Sequence, residues 1–141
     1  AVQSARRALG GEVIDDAMAA GFWQGLRDQT DEFFLGAAKA VQGGATLWRL
    51  AVPQTAPPLG LPGEQLLEWG GGQRWVVTSA PAAGLRDVAA RAGGHATAFR
   101  GGAPGDAFAP VAPALMKIHR GLKDAFDPDR LFNPGRLYPD L

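Results

Sequence analysis

Residues 45–52 read ATLWRLAV and decide the fold. Gly43-Gly44 precedes them and Pro53 follows, so the run is bounded by residues that break regular structure. Side chains alternate across a strand. Leu47, Arg49 and Ala51 therefore share one face, and Trp48, Leu50 and Val52 share the other. Arg49 is a charge in the middle of a half-buried strand. Downstream, residues 65–69 and 73–79 are two further strands separated by Gly70-Gly71-Gly72, which predicts a hairpin with positive φ angles. Residues 82–92 predict a helix with Leu85, Val88 and Ala89 inward, ended by Gly93-Gly94. Residues 95–100 predict a strand. Between the first strand and the hairpin, residues 53–62 hold four prolines (53, 57, 58 and 62) and form a loop of extended character.

The N-terminal side is less regular. Residues 1–9 are helix-like from the first position and Gly10-Gly11 stops them, as expected of a piece that begins inside or just before a helix. Glu12-Val13-Ile14 is a short strand candidate. Asp15 or Asp16 caps a helix over 17–29, whose Met18, Phe22, Trp23 and Leu26 fall at helical spacing as a buried stripe. Gly21 and Gly25 lie four apart and read equally as a close-packing face or as tolerated weak positions. Phe33-Phe34-Leu35 reads as buried, and residues 37–42 as one or two helical turns. The order strand, helix, strand, strand, helix, strand, then a C-terminal helix, is that of an α+β domain. Helices pack on one face of a mainly antiparallel, ferredoxin-like sheet, and a C-terminal helix and tail follow.

That last helix follows a Gly-rich loop over 101–106 and Phe108-Ala109-Pro110. Its apolar stripe is Val111, Leu115, Ile118, Leu122 and Phe126, with Lys117, Arg120 and Lys123 off it. The tail then reads DPDRLFNPGRLYPDL (127–141). Pro fixes φ near −65° and Gly supplies φ > 0, so Asn133-Pro134-Gly135-Arg136 suits a type II turn. The Pro pushes Asn133 toward extended backbone.

At 141 residues the chain is long enough to bury a core, and with 46% hydrophobic residues it is globular. A formal net charge of zero argues against nucleic acid or an anionic membrane as the main partner. There is no Cys, hence no disulfide, thiolate metal site or iron–sulfur ligand in this chain. That suits a cytosolic protein. No apolar run approaches the length of a membrane span.

Motifs that carry chemistry are sparse. The glycine run at 70–72 lacks the Lys-Ser/Thr of a phosphate loop, and no GxGxxG opens a helix after a strand. The two histidines, His95 and His119, show no metal-ligand spacing, so no metal site is expected. His95 opens a strand and either faces a cleft or is a hydrogen-bonded structural residue. His119 sits beside the apolar stripe and reads as structural. Arg49 either binds a carboxylate, for which its planar fork is suited, or is a solvent-side strand charge. Trp69 and Trp75 flank the glycine hairpin and read as core rather than stacking platforms.

Seven segments together carry a resemblance. They are FWQGLRDQ (22–29), TLWRLAVP (46–53), LPGEQLLEWGG (61–71), RWV (74–76), AGGHATAF (92–99), FAPVAPAL (108–115) and DPDRLFNPGRLYPDL (127–141). In this order they resemble the C-terminal portion of the FAD-binding subunits of bacterial glycolate oxidases, within the vanillyl-alcohol oxidase/p-cresol methylhydroxylase flavoprotein superfamily. The resemblance implies that residues 1–110 are a ferredoxin-like cap (substrate) domain, incomplete at its N-terminus, with 111–141 as its helix and tail. It implies that Asn133, Pro134, Gly135 and Arg136 lie near a flavin held mainly by a separate domain, so that this chain alone binds no FAD and is inactive. Arg49 and His95 remain candidates for the substrate side. The implied partners are a catalytic flavin subunit and an iron–sulfur subunit, passing electrons from glycolate to the respiratory chain. The implied location is the cytoplasm, at the inner face of the membrane through the complex. A face bared by the absent domain would favour a homodimer. The competing reading is a non-catalytic, ferredoxin-like assembly module of the same complex.

Overall fold

The computed structural model describes residues 2–103 and 105–141. Ala1 of the helix-like opening and Pro104 of the Gly-rich loop lie outside them. The chain divides into two compact units, Ala1–Gly36 and Ala37–Leu141.

The first unit contains α1 (Val2–Leu9), α2 (Asp16–Asp28) and the start of α3 (Glu32–Gln42). Gly10 ends α1 with φ 73° and an amide bond back to the Arg6 carbonyl at 2.9 Å. Asp15 caps α2: its carboxylate accepts from the amides of Ala17 and Met18 at 3.0 Å each. Residues 12–14 are not a strand. Gly10 and Gly11, both at positive φ, and the cap at Asp15 leave only this short exposed link, and it pairs with no strand. The expected buried stripe of α2 is also absent. Met18, Phe22 and Trp23 are more than half exposed, because no described residue of the unit covers them. Gly21 has open space where a Cβ would stand, so it serves no close packing. Phe33 and Phe34 are buried, with their rings edge-to-face at 5.2 Å, while Leu35 is exposed.

The second unit is built on a sheet of β1 (Thr46–Ala51), β2 (Glu64–Glu68), β3 (Gln73–Thr78) and β4 (His95–Arg100), in the order β2-β3-β1-β4. Every neighbouring pair is antiparallel. Because β3 and β4 both run against β1, they are parallel to each other, and α4 (Ala82–Arg91) joins them. This is a split β-α-β unit, and the strand order is that of a ferredoxin-like sheet. The α+β reading therefore holds.

The register sets two faces. Trp48 stands opposite Val76 and Ala98, and Leu50 opposite Ala96. These five residues join Leu85 and Ala89 of α4 in one core. The β1-to-β2 connection, residues 52–63, contains no helix; it contributes Leu61, and Leu59 beside it, to the same core. Buried Arg74 fastens that loop. Its guanidinium donates to the carbonyls of Ala56 at 2.5 Å, Pro57 at 2.7 Å and Gly71 at 3.0 Å. The opposite face carries Leu47, Arg49, Trp75, Thr97 and, at a bulge in β4, Phe99.

The hairpin turn is a 3-10 turn over Trp69–Gly71. Gly70 and Gly71 take φ 61° and 89°, as the glycine run predicts. Trp75 is core, 4% exposed, but Trp69 is not. Its backbone takes φ 53° and its indole is 77% exposed, since the left-handed turn aims it away from the sheet.

Candidate functional site

The last helix, α5 (Pro113–Phe126), starts on a proline at its first position. Val111 lies before it, so the stripe begins at Leu115. That stripe is open: Leu115, Ile118, Leu122 and Phe126 are each at least half exposed, and the helix buries no residue. The apolar stripe has the spacing read from the sequence, and no described residue buries it.

How the tail folds back is set by Asp127. This residue is buried at the end of α5. Its amide donates to the Lys123 carbonyl at 2.8 Å, and its own carbonyl accepts from the Arg130 amide at 3.0 Å. One carboxylate oxygen accepts from the Leu131 amide at 2.9 Å; the other accepts from the Phe132 amide at 3.0 Å and from Lys123 Nζ. Lys123 also donates to the Phe132 carbonyl at 2.6 Å. The Lys123 hydrogen bond, aided by the two amides, lowers the Asp127 carboxyl below its ordinary value against the opposing effect of burial. Two further ion pairs tie tail to helix, Arg120 to Asp140 and Arg130 to Asp124, the latter at 2.8 Å.

On this frame sits the turn 133–136. The Arg136 amide donates to the Asn133 carbonyl at 3.1 Å, and Gly135 takes φ 69°, as a type II turn requires. Asn133 departs from the expectation. It takes φ 46°, left-handed rather than extended, a conformation Asn tolerates better than most residues. The Gly135 amide is engaged by the Leu141 carbonyl at 2.6 Å, so this N–H is not offered outward.

Helix and tail line an open cavity of about 630 Å³, a size usual for small-molecule sites. Leu122, Phe126, Phe132 and Leu137 supply apolar wall; His119, Lys123, Asn133 and Arg136 supply polar groups. The structure thus brings Asn133 and Arg136 into one cavity with His119. Pro134 and Gly135 shape the turn without lining it. The Arg136 guanidinium has no hydrogen bond or ion pair among the described residues.

Arg49 and His95 lie elsewhere, both exposed on the sheet face away from α4. Arg49 is flanked by Trp75 and Thr97 in register, and its guanidinium carbon is 5.8 Å from the Phe99 ring centre. No carboxylate pairs with it among the described residues. Neither residue lines the C-terminal cavity. Sequence reasoning missed Arg74, Lys123 and Asp127. Only the Lys123–Asp127 spacing of four, which puts both on one helix face, was available as a signal.

No family model and no solved structure matches the chain. A search of curated proteins finds glycolate oxidase subunit GlcE of Escherichia coli (strain K12), 44% identical over 140 residues. Over essentially its whole length, this chain is a relative of that subunit. The match covers 99% of the chain and 36% of the GlcE sequence, so the chain spans little more than a third of its relative. The cavity and the Arg49 face both fall within the matched length. No helix among the described residues is long and apolar enough to cross a membrane.

Proposed function

We propose that this chain is the C-terminal cap region of the FAD-binding subunit of a glycolate (2-hydroxy acid) oxidase complex, and that the cavity beneath the 133–136 turn faces the flavin. The observation that carries this reading is the convergence of Asn133 and Arg136 on an apolar-walled cavity in a chain related to GlcE. The residues fit one face of a flavin ring. Leu122, Phe126 and Phe132 offer apolar contact, and unpaired Arg136 offers a cation at the rim. The chain supplies no glycine-rich cradle for a pyrophosphate, so the rest of the cofactor is held by another part of the full-length subunit. Flavin supplies the two-electron redox chemistry; the protein's share is orientation and charge. Arg136 balances negative charge on the ring, and Asn133 fixes the turn that presents it.

On the sheet face, Arg49 is the candidate for a substrate carboxylate, beside the Phe99 ring and with no acid paired to it among the described residues, and His95 stands on the same face. The partners in this reading are a catalytic flavin subunit and an iron–sulfur subunit that carries electrons to the respiratory chain, at the cytoplasmic face of the membrane. Residues 1–110 form the cap, and 111–141 its helix and tail. The chain by itself binds no FAD. The open stripe of α5 favours a second reading, in which the region serves assembly alone or pairs with a second copy.

The test is made on the full-length subunit. Flavin should co-purify with it, and Asn133→Ala should lower flavin occupancy or shift its absorption while the 141-residue chain stays folded. An unchanged spectrum removes the flavin contact. Arg49→Lys should raise the glycolate concentration needed for flavin bleaching in the complex about tenfold or more, since a point charge replaces a bidentate fork.

A further inference from the structure

We infer that Asp127, clamped by Lys123, is the positioning residue of the 133–136 turn, and that the pair holds the cavity in the shape that presents Asn133 and Arg136. The proposal rests on the functional reading above for what the cavity meets, and on geometry alone for what the pair does.

Four observations carry it. First, Asp127 uses every polar group it has: amide to Lys123, carbonyl to Arg130, one carboxylate oxygen to Leu131, the other to Phe132 and Lys123. An acid that only capped the helix would not reach two amides beyond its own turn. Second, Lys123 closes a ring. It bonds both the Asp127 carboxylate and the Phe132 carbonyl, so the residue next to Asn133 is held through its N–H and its C=O at once. Third, the backbone on either side of Phe132 is in the left-handed region at non-glycine residues, Arg130 at φ 52° and Asn133 at φ 46°. Such conformations persist only where the surroundings over-determine them, and they gather at functional sites. Leu131 and Phe132, the two amides that Asp127 grips, lie between these two positions. Fourth, the clamp is continuous with the cavity, because Lys123, Phe132, Asn133 and Arg136 all line it. The side chains of Leu131 and Phe132 are themselves exposed, so apolar packing does not fix this segment. The polar ring does.

The pair touches neither the Asn133 nor the Arg136 side chain by any hydrogen bond. Its effect passes through the backbone of Phe132. Loss of the ring therefore frees the turn while leaving the sheet intact.

The test compares Asp127→Asn, Lys123→Met and Lys123→Arg. In the 141-residue chain, amide hydrogen exchange is followed by NMR. Asp127→Asn and Lys123→Met should speed exchange at Leu131, Phe132 and Arg136 about tenfold or more, with Leu50 and Val76 of the sheet unmoved. Lys123→Arg, which keeps a cation able to reach two oxygens, should restore protection. Unchanged exchange at Leu131 and Phe132, or sheet amides that lose protection in step with them, overturns the proposal. If Asp127→Asn fails to fold, Lys123→Met decides by the same readings. In the full-length subunit the same two variants should shift the flavin absorption maximum. A flavin-bearing subunit whose spectrum ignores both variants, when exchange at Leu131 and Phe132 has sped up, removes the flavin contact of the turn and supports the positioning role by the exchange reading. A wild-type subunit without flavin removes only the functional reading above, and the exchange result still decides the positioning role.

Discussion

Gly94 ends the turn between α4 and β4 and stands where β4 meets the end of β1. Its φ is not left-handed, so Ala is conformationally acceptable there and the effect of Gly94→Ala is steric. A Cβ would overlap the Ala51 carbonyl oxygen and come within 2.9 Å of its carbon and 2.8 Å of Val52 Cγ1. Carbon contacts settle at about 3.5–4.0 Å, so β4 must move from β1 by roughly 1 Å. That carries a ladder bond of about 2.9 Å beyond hydrogen-bonding range and undoes the Ala51–His95 pairing. Overpacking costs about 1–3 kcal/mol and a lost bond about 1 kcal/mol, for a total of roughly 2–4 kcal/mol. With a urea m-value near ~2 kcal/mol/M, the midpoint should fall by about 1–2 M. Gly84→Ala is the internal control. Its Cβ meets nothing within 4 Å, and it lies inside α4, so it should stabilise by about 0.5–1 kcal/mol. Urea unfolding followed by tryptophan fluorescence measures both. A Gly94→Ala midpoint within 0.5 M of wild type (about 1 kcal/mol) would refute the steric reasoning, and with it the placement of the β1–β4 junction.

Other substitutions probe other parts. Leu85→Ala, at a fully buried α4 position against Trp48 and Leu50, should cost about 2–5 kcal/mol in the same assay. Asp15→Ala removes both cap bonds of α2 and should lower helicity by circular dichroism, at about 1 kcal/mol for that helix. Asp127 and Asp140 both have carboxyls below the ordinary value, the first through Lys123 and the second through Arg120. Their folded values are depressed, so their stabilisation is complete above pH ~4 and is lost as pH falls through those values. Carboxyl carbon NMR should show both titrating below the ordinary aspartate value; a midpoint at or above that value contradicts the two bonds.

Much of the sheet was legible. Residues 45–52 alternate cleanly, the three glycines mark the hairpin, and Gly93-Gly94 separates α4 from β4, so local patterns and global topology agree there. Elsewhere they do not. Gly36 inside α3 hid one continuous helix, because a glycine reads as a break when tertiary burial of Phe33 and Phe34 is unseen. Val13-Ile14 looks like a strand, yet a strand needs a partner, and among the described residues it pairs with none. The stripes of α2 and α5 have the right period, but periodicity states that a face is apolar and not what covers it. Arg74, and the reach of Asp127 beyond Lys123, were invisible for a related reason. Those partners are backbone groups, whose positions no side-chain pattern records. For the candidate site, the Asn-Pro-Gly turn was readable from residue chemistry; the cavity and the ring that holds it were not.

The two segments that leave the sheet are fastened by opposite kinds of group. The loop 52–63 is held by the Arg74 guanidinium on two of its carbonyls, Ala56 and Pro57, with no carboxylate in the contact. The tail is held by carboxylates. Protonation of Asp127 and Asp140 therefore loosens residues 127–141 while the bonds from Arg74 to the Pro-rich loop stay in place. Controlled acidification is thus a way to loosen the tail without mutating it, with the loop bound by Arg74 as the reference.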